Sequence, residues 1–204
     1  MAGTSTLPWT VGVECWLLNV SPFDSLARMD EPIIDLQSDT YFMGEALRQA
    51  AKAYEAEEVP VGAVIVREGR IIARASNQVE LLKDATAHAE MLALTQAQNA
   101  VGDWRLTDCT LYVTKEPCPM CAGAIVHTRL ARVVFGASDP KGGAAGGALN
   151  LLQFPTLNHQ CEITSGVRLE ECRALLKSFF AEQRAAAKPA AGKIPPAGAD
   201  ASTN

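Results

Sequence analysis

His88-Ala89-Glu90 and Pro117-Cys118-Pro119-Met120-Cys121 stand 26 residues apart in a chain of 204. His88, Cys118 and Cys121 offer one imidazole and two thiols, a ligand set suited to zinc. Three protein ligands leave the fourth tetrahedral position open to water, whereas a structural zinc site is closed by four. Glu90, two residues beyond the histidine, is placed to handle that water's protons. The chemistry this permits is hydrolytic. An activated water attacks the amino-bearing carbon of an aminopurine or aminopyrimidine. The carboxylate delivers a proton to a ring nitrogen and then to the leaving amine, and ammonia departs.

Taken singly, neither motif is specific. Cys-x-x-Cys also serves structural zinc or a redox pair, and His-x-Glu occurs by chance in many helices. Glu90 separates the readings, because a structural site, such as that of an RNA-binding protein without turnover, has little use for that carboxylate. Each motif also falls where a strand or loop feeds a helix start, whose free N–H groups and dipole favour thiolates. A helix from about Thr86 to Gln98 is expected to carry His88 and Glu90 in its first turn. Pro119 opens another that runs to about His127.

Around these, the pattern alternates. Ser38 or Asp39 caps a helix to about Tyr54, with Met43, Leu47, Ala50 and Tyr54 on one face. Residues 61–66 read as a buried strand, Glu68-Gly69 as a turn, and Ile71-Ile72-Ala73 as the returning strand of a hairpin. Leu111-Tyr112-Val113 and Val133-Val134-Phe135 are further strands. A short helix near Ala148–Gln153, a strand at Ile163 and a helix from Leu169 to about Ala185 complete the body. The expected fold is α/β, a mixed sheet with helices on both faces, that is, a three-layer α/β/α sandwich.

Composition narrows the class. With 48% hydrophobic and 20% charged residues the chain can build a sizeable core. No apolar run approaches the ~20 residues of a membrane span. The N-terminus resembles neither a signal peptide nor a transit peptide, its first basic residue being Arg28. The six cysteines are Cys15, Cys109, Cys118, Cys121, Cys161 and Cys172; their pattern suits metal binding in a reducing compartment rather than a disulfide framework. Cytoplasmic placement is expected. Cys109, Cys161 and Cys172 read as small core residues, Trp104 and Phe135 as core, and His127 as a helix-end residue. The net charge is −5, but residues 39–184 carry 15 basic and 17 acidic side chains and are nearly neutral. Arg105, Lys115, Arg129, Arg132 and Lys141 lie near the second motif and read as solvated surface.

His-x-Glu with Pro-Cys-x-x-Cys is the general signature of zinc-dependent nucleobase deaminases. The wider sequence resembles the bacterial tRNA-specific adenosine deaminases of the cytidine/deoxycytidylate deaminase-like superfamily. The likeness covers roughly Tyr41 to Lys188. It rests on Glu58-Val59-Pro60-Val61-Gly62-Ala63-Val64, Asn77, Asp84-Ala85-Thr86-Ala87-His88-Ala89-Glu90 and Leu111-Tyr112-Val113-Thr114. It continues through Glu116-Pro117-Cys118-Pro119-Met120-Cys121-Ala122-Gly123, Arg132-Val133-Val134-Phe135-Gly136-Ala137, Gly143-Ala144-Ala145-Gly146 and Asn158-His159.

The resemblance implies a five-stranded sheet of the cytidine deaminase-like fold and a homodimer with one zinc per subunit. It implies hydrolytic conversion of adenosine to inosine at the wobble position of a tRNA anticodon stem-loop, with no DNA or membrane partner. His88, Cys118 and Cys121 would hold the metal and Glu90 would shuttle the proton. Asn77, Val59, Pro60 and Ala89 would meet the extruded base. Deamination of free bases or nucleotides, such as guanine or cytosine derivatives, is the alternative. Two positions depart from the family pattern: Ser138 stands where a basic residue is usual, and Gly147 where a serine is. The expected organisation is an N-terminal extension over 1–37, disordered or from a misplaced start with Met29 the alternative, then a deaminase domain over 38–187 and an Ala/Pro-rich disordered tail over 188–204.

Overall fold

The computed structural model describes residues 35–187. The expected N-terminal extension, apart from 35–37, and the expected tail lie outside the described residues, as does Cys15.

Helix α1 spans Asp39–Glu55, and the Ser38 hydroxyl caps it by accepting from the Tyr41 N–H at 3.2 Å. Its buried face is turned somewhat from the expected one: Phe42, Met43, Ala46, Ala50 and Ala53 are buried, while Leu47 and Tyr54 are only half-buried. Strands β1 (Gly62–Arg67) and β2 (Arg70–Ser76) form the expected hairpin. Glu68 and Gly69 both have positive φ, 49° and 72°. Two such residues give a turn whose twist matches that of the paired strands. A one-turn helix α2 (Val79–Leu82) follows, which periodicity could not reveal in four residues. The remaining elements are α3 (Ala89–Val101), β3 (Cys109–Lys115), α4 (Pro119–His127), β4 (Arg132–Ala137), β5 (Glu162–Ser165) and α5 (Leu169–Ala186).

The five strands lie in the order β2-β1-β3-β4-β5. β1 pairs antiparallel with β2 and β3, and β3–β4 and β4–β5 are parallel, so the sheet is mixed as expected. Alternation along each strand builds two cores. Ala63, Ile65, Leu111, Val113 and Val133 pack with Ala93 of α3 and Ile125 of α4. Val64, Tyr112 and Val134 pack with Met43 of α1 and Cys172 of α5 on the opposite face. Gly62 lets α1 approach closely: a Cβ there would run into the backbone of Ala46 and Ala50.

Two expectations need correcting. Residues 148–153 are not helical. The Gly143 carbonyl accepts the N–H groups of Ala148 and Leu149, and the Ala144 carbonyl that of Leu151, so the segment folds into turns. Trp104 is not core. It is 47% exposed, with the Arg105 guanidinium over its ring at 4.1 Å, and Leu106 is the residue that segment buries. Cys109, Cys161, Cys172 and Phe135 are buried, and His127 is exposed at the end of α4.

Candidate active site

The helix carrying His88 and Glu90 begins at Ala89, three residues later than expected. The Asp84 carboxyl accepts the Thr86 N–H and hydroxyl at 2.8 and 2.7 Å. The Ala87 N–H bonds back to the Asp84 carbonyl, and the Ala87 carbonyl accepts the Gln78 N–H. These groups are committed to a turn, so the helix can start only after them. His88 therefore occupies the N-cap of α3, with φ −69° and ψ 150°. Cys118 holds the same position on α4, with φ −73° and ψ 170°, followed by Pro119 in the first turn. In both helices the N-cap carbonyl accepts the first helical bond, from Leu92 and from Ala122. Neither side chain caps its own helix, which leaves the imidazole and the thiol available to the cluster.

The cluster is compact. His88 Nδ1 lies 3.6 Å from Cys118 Sγ and 3.5 Å from Cys121 Sγ, and the two sulfurs are 3.6 Å apart. A tetrahedral zinc with Zn–S of about 2.3 Å and Zn–N of about 2.0 Å requires about 3.8 Å between sulfurs and about 3.5 Å between sulfur and nitrogen. The spacing fits one ion bound by Nδ1 and both sulfurs. Among the described residues these three are the only such group of potential ligands.

The electrostatics agree with cation binding. A hydrogen bond from the Cys121 thiol, then the His88 ring, draws the Cys118 thiol down to about 3. Cys121 is raised, chiefly because its proton is the one shared with Cys118. His88 is raised chiefly by Cys118. A cation bound among them would displace the shared proton. Glu90 is 4% exposed, and burial pushes its carboxyl above the ordinary carboxylate range.

A cavity of about 520 Å³ opens onto His88, Cys118 and Glu90. Val59, Val61 and Val79 give it apolar walls, and Asn77 a polar one. Its outer wall comes from the far end of α5, through Phe179, Phe180 and Gln183. Pro60 is buried beside Val59, and Ala89 is wholly buried in the core with Ala93 and Ala122; neither lines the cavity.

Three contributions went unread in the sequence. Glu58 and Glu116 are buried carboxylates on the cavity wall, 1% and 2% exposed. Glu58 Oε2 accepts from Asn77 Nδ2 at 3.1 Å, and its Oε1 from the Leu81 N–H at 2.8 Å. Glu116 accepts the N–H groups of Asp139, Ala145 and Gly147 at 2.8–2.9 Å. In sequence both acids stand beside other charged residues, Glu57 and Lys115, and read as surface. The α5 phenylalanines carry no local hint at all. Of the two departures, Ser138 is exposed, and Gly147 fills a tight place: a Cβ there would meet the Asp139 carbonyl and the Glu116 carboxylate. Three of the five basic residues named from the sequence are paired with acids. Lys115 pairs with Asp139 at 2.6 Å, Arg132 with Asp39 at 2.7 Å and Glu162 at 3.2 Å, and Arg105 with Asp103 at 3.5 Å.

Residues 37–184 match the family model of MafB19-like deaminases. A Bacillus subtilis protein named tRNA-specific adenosine deaminase is 54% identical over 155 residues, covering 76% of this chain and 96% of the relative. One of the same name from Aquifex aeolicus is 49% identical over 144 residues, covering 71% and 95%. A structure from studies of A-to-I editing by tRNA:A34 deaminases at the wobble position of transfer RNA superposes with a TM-score of 0.65 at 45% identity. That match spans 67% of this chain and 99% of the other. A guanine deaminase from Nitrosomonas europaea, 23% identical, shares the fold with a TM-score of 0.63, covering 88% and 100%.

Proposed function

We infer, for a chain that belongs to the MafB19-like deaminase family alongside the tRNA-specific adenosine deaminases, that it converts adenosine to inosine at the wobble position of tRNA. The observation that carries the chemistry is the pairing of an open three-ligand cluster with a buried acid on one cavity wall. Residues 38–187 are the domain to which we assign the activity.

His88 Nδ1, Cys118 Sγ and Cys121 Sγ hold the metal, which the ligand set and spacing favour as zinc, one per subunit. Zinc held there would supply Lewis acidity, which makes a water more acidic. Glu90 takes a proton from the water that attacks the amino-bearing carbon. It gives that proton to the ring nitrogen, then moves the proton of the newly added hydroxyl to the amine, so that the carbonyl forms as the C–N bond breaks and ammonia leaves. Its buried setting raises its proton affinity, as a group that must both accept and donate requires. Val59 stacks against the extruded base and Asn77 bonds its polar edge. Pro60 and Ala89 act from behind this wall, holding its shape rather than meeting the base. The partner is the anticodon stem-loop. The working form is a homodimer, and its compartment is the cytoplasm; among the described residues no helix is long and apolar enough to cross a membrane.

The test is an anticodon stem-loop with adenosine at the wobble position, incubated with zinc-loaded protein and sequenced. Inosine, read as guanosine, is expected, with loss of editing under a strong chelator and recovery on adding zinc. An unedited stem-loop together with deaminated free guanine or cytidine would transfer the activity to small substrates.

A further inference from the structure

Asn77 stands on the cavity wall only 6% exposed, and its backbone is fixed by the N–H bond to the Val61 carbonyl at 2.9 Å. Its side chain has two unlike ends, an NH₂ that donates and an oxygen that accepts. Which end faces the cavity decides what the site can read. Glu58 settles this. Both of its oxygens receive N–H donors, Leu81 N–H on Oε1 and Asn77 Nδ2 on Oε2, and a carboxylate has no proton to offer in return. A flipped amide would set Asn77 Oδ1 against Glu58 Oε2, acceptor against acceptor, in a buried place where such a clash is costly. Among the described residues no donor reaches Asn77 Oδ1, and that atom is not buried without a partner.

The geometry points to Glu58 as a positioning residue that locks the Asn77 carbonyl oxygen toward the cavity, so that the site demands a hydrogen-bond donor from the bound nucleoside. This rests on the functional reading above. On adenosine the available donors are few. The base edge carries one, the amino group, since its ring nitrogens only accept. The ribose 2′-hydroxyl is another. Either satisfies Asn77 Oδ1.

The experiment measures dissociation constants of stem-loops bearing adenosine, 2′-deoxyadenosine or purine riboside at the target position. Wild-type Glu58 is compared with Glu58→Gln, both zinc-loaded and both carrying Glu90→Gln so that adenosine is bound without being converted, with each melting temperature recorded. With Glu58 retained, one analogue binds about tenfold more weakly than adenosine, as for a buried acceptor left unpaired. The 2′-deoxy analogue doing so identifies the hydroxyl, and purine riboside the amine. Glu58→Gln keeps the shape but can present NH₂ to Asn77, releasing the lock, and the tenfold penalty should fall below about twofold. A penalty of unchanged size in Glu58→Gln, or no penalty for either analogue with Glu58 retained, overturns the assignment. If Glu58→Gln does not fold, side-chain amide exchange of Asn77 by NMR decides on the wild-type protein: one protected proton supports the lock, two rapidly exchanging protons refute it. A wild-type protein that edits no stem-loop would bring down the functional reading and this inference with it. Editing with an unchanged penalty removes only Glu58.

Discussion

His88 and Cys118 sit at helix N-caps, where serine or aspartate would ordinarily satisfy free N–H groups. Their side chains turn instead to each other, and the positive helix ends lie beside the cluster. That arrangement favours thiolate and carboxylate beside the cluster. It assigns Glu90 a role separable from binding. In Glu90→Gln, zinc content should match the wild type while editing falls by at least about 10²-fold, as loss of a general acid–base group does. Metal analysis beside single-turnover editing checks this; undiminished editing would remove the proton-shuttle role. At this scale the clustering of His88, Cys118 and Cys121 was legible, because residue type and short spacing bring such donors together. Glu58 and Glu116 were not, since a buried acid looks like a surface one until its donors are known.

The loop over residues 138–150 shows how one side chain can override local pattern. Its alanines and leucines suggest a helix near Ala148–Gln153. Glu116, arriving from the end of β3, instead collects the N–H groups of Asp139, Ala145 and Gly147. With the chain pinned there, the N–H groups of Ala148, Leu149 and Leu151 go to the Gly143 and Ala144 carbonyls rather than into a helix. A bond from Glu116 crosses some 30 residues of sequence and leaves no periodic trace. By contrast, the β1–β2 hairpin was readable, because Glu68-Gly69 between two apolar runs carries its own turn chemistry. Replacing Glu116 with alanine leaves three N–H groups without their acceptor. We expect a stability loss of at least ~2 kcal/mol by urea denaturation. A variant with an unchanged midpoint would mean that the loop holds itself in place.

A mixed sheet with helices on both faces followed from the alternation of strands and helices, whereas the strand order and the placement of α1 and α5 on one face and α3 and α4 on the other came only with the structure. Less visible were the long-range ties. Arg132 on β4 donates to both oxygens of Asp39 at the start of α1, at 2.9 and 2.7 Å, and the Tyr112 hydroxyl of β3 donates to the same carboxylate. The Arg132 hydrogen bond holds Asp39 below its ordinary value of 3.8. A carboxyl depressed in the folded state contributes stability above the unfolded value and loses it as pH falls through the folded one. Asp39→Asn should therefore melt below the wild type near neutral pH, by about 1 kcal/mol once partial exposure is allowed for. The gap should close as pH drops below 3.8. Melting curves recorded down the acid range check this, and a gap that persists in acid would assign the effect to packing.

The wall that Phe179 and Phe180 give the cavity stands 58 positions after Cys121 in the chain, counted to Phe179. A ribosome adding about 5–20 residues per second makes the ligands several seconds before it makes that wall. During elongation the nascent protein thus carries His88, Cys118 and Cys121 while one side of the recess is still unbuilt.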